Sequence, residues 1–190
     1  GAAYEVDCII FSTGFEVGTP WWDRAGFDLE GRDGLTLSQY WSDKLHTLHG
    51  IHVHGFPNAF FAEPSPHGGN LISNFTHNLT AAGVAIAAVV RHAEDRGAKM
   101  VEVTKEAEDA WRKFVRSGSG GMLGALDCTP SYYNHEGKVR ARGHRKGRGY
   151  PGGQLAYFRY LDAWCSSGRF DGLSFTGVPE DEPAGRNVGQ

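Results

Sequence analysis

The run Asp7-Cys8-Ile9-Ile10-Phe11-Ser12-Thr13-Gly14-Phe15 decides how this chain is read. Cys8 to Phe11 is continuously apolar with β-branched members, a pattern that predicts a strand buried on both faces. It stops at Ser12-Thr13-Gly14, where Gly14 gives the backbone the freedom to leave a sheet in a tight turn. Strands buried on both faces belong to layered α/β sheets, which bind ligands outside the carboxyl ends of their strands. Thr13 and Gly14 stand at such an end. A chain that opens inside such an element is expected to continue from a segment before it.

Working outward, residues 16–40 are punctuated by Gly18, Pro20, Gly26, Gly31 and Gly34 and read as loop-rich, with a short strand or turn at Leu35–Trp41. Residues 51–62 alternate and then run apolar, which predicts two strands hinged at Gly55-Phe56-Pro57-Asn58. Pro64 to Gly69 forms a loop feeding the longest helix, from about Asn70 or Ser73 to His92. That helix is apolar nearly all round, so it should be buried on every side, with Gly97 as its stop. Met100–Val103 reads as a strand. Thr104 can cap a helix carrying Trp111, Phe114 and Val115 on one stripe. Residues 132–153 are basic and glycine-rich, residues 153–166 return to helix, and Val178 to Gln190 read as a disordered tail. The organisation expected is therefore 1–100, 101–177 and a tail of 178–190.

Composition narrows the classes. A chain of 190 residues, 40% hydrophobic and 12% aromatic, can bury a proper core. A net charge of -3 implies no nucleic-acid or acidic-membrane partner. No apolar run reaches the roughly 18 residues of a membrane span. Cys8, Cys128 and Cys165 are odd in number and widely spaced, which favours reduced thiols and a cytoplasmic location.

Several ordered motifs carry a resemblance. They are Asp7 to Phe15, Tyr40-Trp41-Ser42-Asp43, Gly55-Phe56-Pro57-Asn58-Ala59-Phe60 and Glu63-Pro64-Ser65-Pro66. Ser131-Tyr132-Tyr133-Asn134, Gly137-Lys138 and Tyr150-Pro151-Gly152-Gly153 follow. In this order and spacing the chain resembles the C-terminal portion of Baeyer–Villiger monooxygenases of the cyclohexanone and steroid monooxygenase type. The resemblance implies an α/β fold: the C-terminal part of a two-dinucleotide-domain flavoprotein, with an incomplete sheet, a long buried helix and an irregular helical C-terminal region. It implies FAD and NADPH as cofactors, a small-molecule ketone and O2 as substrates, and a missing N-terminal portion of the same enzyme as partner. The chemistry the resemblance implies is reduction of the flavin by NADPH and insertion of one oxygen atom of O2 beside the carbonyl. The alternative is a non-enzymatic binding or assembly module.

The same resemblance places Pro66, Asn70 and Leu71 against the flavin, with Thr13 and Gly14 near it. A glycine-rich loop opening a helix also presents that helix's first N–H groups to a ligand. Tyr132 stands where the family carries a Trp reaching the nicotinamide and substrate pocket, and Glu136 replaces a family Pro nearby. The dinucleotide fingerprints and the family's catalytic Arg are expected upstream, so no catalytic residue is assigned here. His46, His49, His52 and His54 invite a metal. A cupin-like site would need a Glu four or five residues beyond His54, where Asn58 and Ala59 stand, so no metal is assigned and solvent-facing histidines are expected.

Overall fold

The computed structural model describes residues 1–12, 22, 25–43, 45–62, 74–117 and 150–177. Their regular elements are α1 (Leu37–Tyr40), α2 (Phe75–Asp95), β1 (Met100–Val103), α3 (Lys105–Ser117), α4 (Gln154–Ser166) and β2 (Leu173–Thr176). β1 and β2 pair antiparallel, with Met100 opposite Thr176 and Val103 opposite Leu173.

Local chemistry explains the boundaries. Asn74 caps α2 by accepting from the Thr76 N–H at 3.0 Å, and Gly97, at φ +66, ends it through a bond to the Glu94 carbonyl. Thr104 Oγ1 accepts from the Ala107 N–H and opens α3. α1 is a single helical turn where a strand or turn is predicted. Thr36 and Gln39 close a capping box around it, which offsets the poor intrinsic stability of so short a helix.

The main core joins the turn residues Leu48 and Ile51 to Ala82, Ala85 and Val89 of α2, Val101 and Val103 of β1, Trp111 and Val115 of α3, and Leu161 and Trp164 of α4. Each fully buried large side chain contributes roughly 1.5–3 kcal/mol. A smaller cluster of Leu37, Trp41, Val53 and Phe56 sits under α1.

Two sequence expectations fail here for the same reason. Residues 1–12 form no strand, and Ile9, Ile10 and Phe11 are 67%, 87% and 82% exposed. A buried strand needs ladder partners at its edges and layers over its faces, and the β1–β2 pair, which is the sheet of the described residues, does not include it. Likewise α2 buries a stripe of Asn78, Ala82, Ala85, Val89 and Ala93, while Val84 on the other side is 63% exposed. Its apolar residues run all round, but the described residues cover one face. The two strands expected over 51–62 reduce to isolated bridges from His52 to Leu48 and Phe60.

Candidate functional site

The most densely bonded region is built on the segment from Thr47 to Ala62. Leu48 to Ile51 make a tight turn closed by the Ile51 N–H on the Leu48 carbonyl at 3.0 Å. His49 and Gly50 occupy its centre at φ 58 and 75, the two left-handed positions of a type I′ turn. The turn aims the His49 side chain inward. Its Nε2 lies 3.0 Å from the Tyr160 hydroxyl, and the indoles of Trp111 and Trp164 stand edge-on with ring centroids 4.6 Å away.

Asn58 then takes φ 57, a conformation asparagine tolerates better than most residues. Its N–H donates to the Val101 carbonyl, its Oδ1 accepts from the Val101 N–H at 2.9 Å, and its Nδ2 donates to the Lys99 carbonyl. One asparagine thus supplies the hydrogen bonds of a neighbouring strand to the outer edge of β1.

Two carboxylates complete the lattice. Glu102 receives the Arg32 guanidinium, with an Nη2–Oε2 distance of 2.8 Å, and the Gly55 N–H. Burial opposes the charge, but Arg32 and the Gly55 N–H hold the Glu102 carboxyl below its ordinary range. Gly31 is required beside it, because a Cβ there would lie 2.3 Å from the Gly55 carbonyl oxygen. Glu108 of α3 is fully buried. It accepts from the Tyr40 hydroxyl at 2.5 Å and the His54 N–H at 3.0 Å, and Lys105 Nζ approaches to 3.6 Å. Burial and that bond to Glu108 push the Tyr40 phenol well up, so it stays a donor. Along one flank runs an open groove of ≈ 930 Å³, lined by Leu29, Gly31, Arg32, Phe56, Asn58 and Phe61 among others. Chemically this lattice is a scaffold: its carboxylates, phenol and asparagine are held by one another and by backbone.

The residues expected to face cofactor or substrate, Thr13, Gly14, Pro66, Asn70, Leu71 and Tyr132, lie outside the described residues. One expectation about their surroundings changes. The N–H of Thr76 at the start of α2 is already taken by the Asn74 side chain, and those of His77 and Asn78 by the Asn74 carbonyl. The first turn of α2 therefore offers a ligand little.

The histidines are not solvent-facing. His49 and His52 are 1% and 3% exposed, His52 packs on Phe60, and His54 Nδ1 meets the Val103 carbonyl at 2.9 Å. Trp111, Tyr160 and Trp164 enclose the His49 ring and Phe60 and Trp164 flank His52, which draws those two inward, while His46 and His54 are half-buried. Among the described residues no three His, Cys, Asp or Glu side chains are grouped as metal ligands.

The bonding roles of Glu108 and Asn58 escaped the sequence reading, though each left a signal. Glu108 precedes Trp111 and Val115 at helical spacing on the same face. Asn58 follows Gly-Phe-Pro at a turn, where left-handed residues are expected.

No protein-family model matches the chain. Its sequence is 37% identical over 177 residues to the FAD-binding monooxygenase hmp7 of Hypomyces subiculosus, covering 93% of this chain and 29% of that protein. It is 39% identical over 178 residues to Baeyer-Villiger monooxygenase 4 of a Dietzia species, covering 92% and 28%. Among solved structures, the polycyclic ketone monooxygenase of Thermothelomyces thermophila matches with a TM-score of 0.71 at 30% identity, over 83% of this chain and 25% of that one. A closed cyclohexanone monooxygenase shares the fold at 21% identity, with a TM-score of 0.66 over 93% and 31%. The chain spans less than a third of the length of the curated relatives it matches. It is related to Baeyer–Villiger monooxygenases over that part of their length, and its fold is the corresponding part of their α/β flavoprotein architecture.

Proposed function

We propose, from this kinship, that the chain is the C-terminal part of an FAD- and NADPH-dependent enzyme that inserts one oxygen atom of O2 beside a ketone carbonyl. The carrying observation is the identity of up to 39% to named Baeyer–Villiger monooxygenases across more than nine-tenths of the chain. The balance is ketone, O2, NADPH and a proton giving an ester or lactone, water and NADP+.

When bound, FAD supplies the redox chemistry, passing electrons from NADPH to O2. This chain's part is positional. Pro66, Asn70 and Leu71 would form one wall of the ring site, with the backbone of Thr13 and Gly14 beside it. Leu71 packs on the ring, and Tyr132 lines the nicotinamide and substrate pocket with an aromatic face and a polar tip. The scaffold around Asn58 and Glu102 holds the Phe56–Ala62 stretch from which the loop departs.

The exposed faces support a part that works within a larger protein. Ile9, Ile10 and Phe11 present a strand-like apolar run to solvent, and Val84 and Val90 of α2 add a second apolar surface. Exposed apolar area of this kind marks interfaces. The remainder of the enzyme is the partner proposed for both. No helix among the described residues is long and apolar enough to cross a membrane, and Cys8 and Cys165 are free thiols.

The test measures flavin-to-protein ratio and ketone-dependent NADPH oxidation. It compares the 190-residue chain alone with the chain joined to the preceding portion of a full-length relative. Turnover is expected in the joined protein and not in the chain alone. A well-folded joined protein without bound flavin would show a binding or assembly module instead.

A further inference from the structure

We propose that His49, seated among aromatic rings between α3 and α4, is an acid-sensitive clasp. Its protonation expels the tip of the 48–51 turn and loosens α4 from it, while α2, β1 and β2 stay assembled.

The geometry makes the tip a plug. Its backbone is held by the Tyr157 hydroxyl, which donates to the His49 carbonyl at 2.9 Å, and by Thr47 Oγ1, which accepts the Gly50 N–H at 3.2 Å. Its imidazole is enclosed by Trp111 of α3 and by Tyr160 and Trp164 of α4. A neutral imidazole suits this enclosure, because it has one donor and one acceptor. Nε2 lies 3.0 Å from the Tyr160 hydroxyl and can accept its proton, which leaves a single Nδ1–H among the rings of Trp111 and Trp164. Nδ1 is buried and has no hydrogen-bond partner. An imidazolium fails there. It carries a second strong donor, and no oxygen of the described residues meets it.

The surroundings add no relief. From α4 the phenols of Tyr157 and Tyr160 face His49, with Cys165 acting on the first and Asp171 on the second. From α3 it is faced by Trp111, which has no charge. The titratable group that acts on His49 itself is His52, three residues on, which is buried with its Nε2 unpartnered. Burial first, and then His52, hold the His49 imidazole well below its ordinary range, and burial takes His52 to about 3.

The sign follows from linkage. Once the clasp opens, each ring protonates near pH 6.5; closed, each does so only far lower. Below pH 6.5 the open population therefore rises about tenfold per pH unit for one histidine, and toward a hundredfold when both are released.

The experiment is amide hydrogen exchange of the 190-residue chain between pH 7.5 and 4.5, read peptide by peptide and corrected for intrinsic exchange rates. Peptides from 47–53 and α4 should open with that steep dependence while α2 and β1 stay protected. His49→Asn keeps a neutral side chain tolerant of the left-handed turn, and should reduce the slope to that of His52. Adding His52→Gln should flatten it. Should those variants not fold, the ring signals of His49 in the unaltered chain give the second reading. They should hold their neutral positions until the α4 amides open. Unchanged slope in His49→Asn, titration of His49 near pH 6.5 without opening, or simultaneous opening of α2 and α4 would each overturn the clasp.

Discussion

Replacing Glu108 by alanine measures how much the buried carboxylate contributes to joining α3 to the Tyr40–His54 region. The side chain is fully buried and receives the Tyr40 hydroxyl and the His54 N–H. A hydrogen bond to a charged group contributes about 1.5–3 kcal/mol, and a buried donor left without a partner costs about 1–3 kcal/mol. Lys105 is 40% exposed and its ion pair at 3.6 Å adds little after solvent screening. Removing the acceptor leaves two orphaned donors, so Glu108→Ala should lose about 3–5 kcal/mol. In a chain of this size that lowers Tm by roughly 6–20 °C. Glu108→Gln should lose less, because its amide oxygen still accepts the His54 N–H and its NH2 can donate to a rotated Tyr40 hydroxyl. The assay is urea unfolding of the wild type, Glu108→Ala, Tyr40→Phe and the double variant, with Glu108→Gln measured beside them. The cycle isolates the Tyr40–Glu108 pair, expected to couple by about 1–3 kcal/mol. A Glu108→Ala loss below about 1 kcal/mol, with additive cycle members, would refute the reasoning.

Asn58→Ala should cost about 2–3 kcal/mol, losing side-chain bonds and straining the left-handed backbone, whereas Asn58→Gly should recover the strain alone; faster exchange of the Val101 amide in both is the check. Gly31→Ala should destabilise by about 1–3 kcal/mol, because its methyl meets the Gly55 carbonyl oxygen and backbone must move; a Tm equal to wild type would contradict this. In the joined enzyme, Leu71→Asp should weaken FAD retention more than tenfold, or over about 1.4 kcal/mol. Full flavin occupancy after gel filtration, with a native circular dichroism spectrum, would remove Leu71 from the proposed ring site.

Sequence alone carried the helices well, because their signals are local. Thr104 before an acidic turn, Gly97 after α2 and the spacing of Leu161 and Trp164 each speak within a few residues, and α2, α3, α4 and β1 stand where those signals place them. It failed wherever the partner is distant. Cys8–Phe11 reads as buried because its residues are apolar, but burial needs a second surface, and those residues remain exposed. The histidines misled for the converse reason: polar side chains suggest solvent, yet Trp111 and Tyr160, far along the chain, surround His49. β2 was missed because four residues without strong alternation acquire strand identity only against β1. The proposed cofactor contacts rest on resemblance to a family and lie outside the described residues.

Asn58 also bears on solubility. A two-stranded sheet has two open edges, and an open edge is a template on which another chain can add a strand. At Val101 of β1, a position on the side away from β2, the N–H and carbonyl are both already engaged by one asparagine. The residue therefore acts as a stopper as well as a brace. Losing it frees the hydrogen-bonding sites through which two copies could join edge to edge, so self-association of Asn58 variants should rise with protein concentration even where the fold survives.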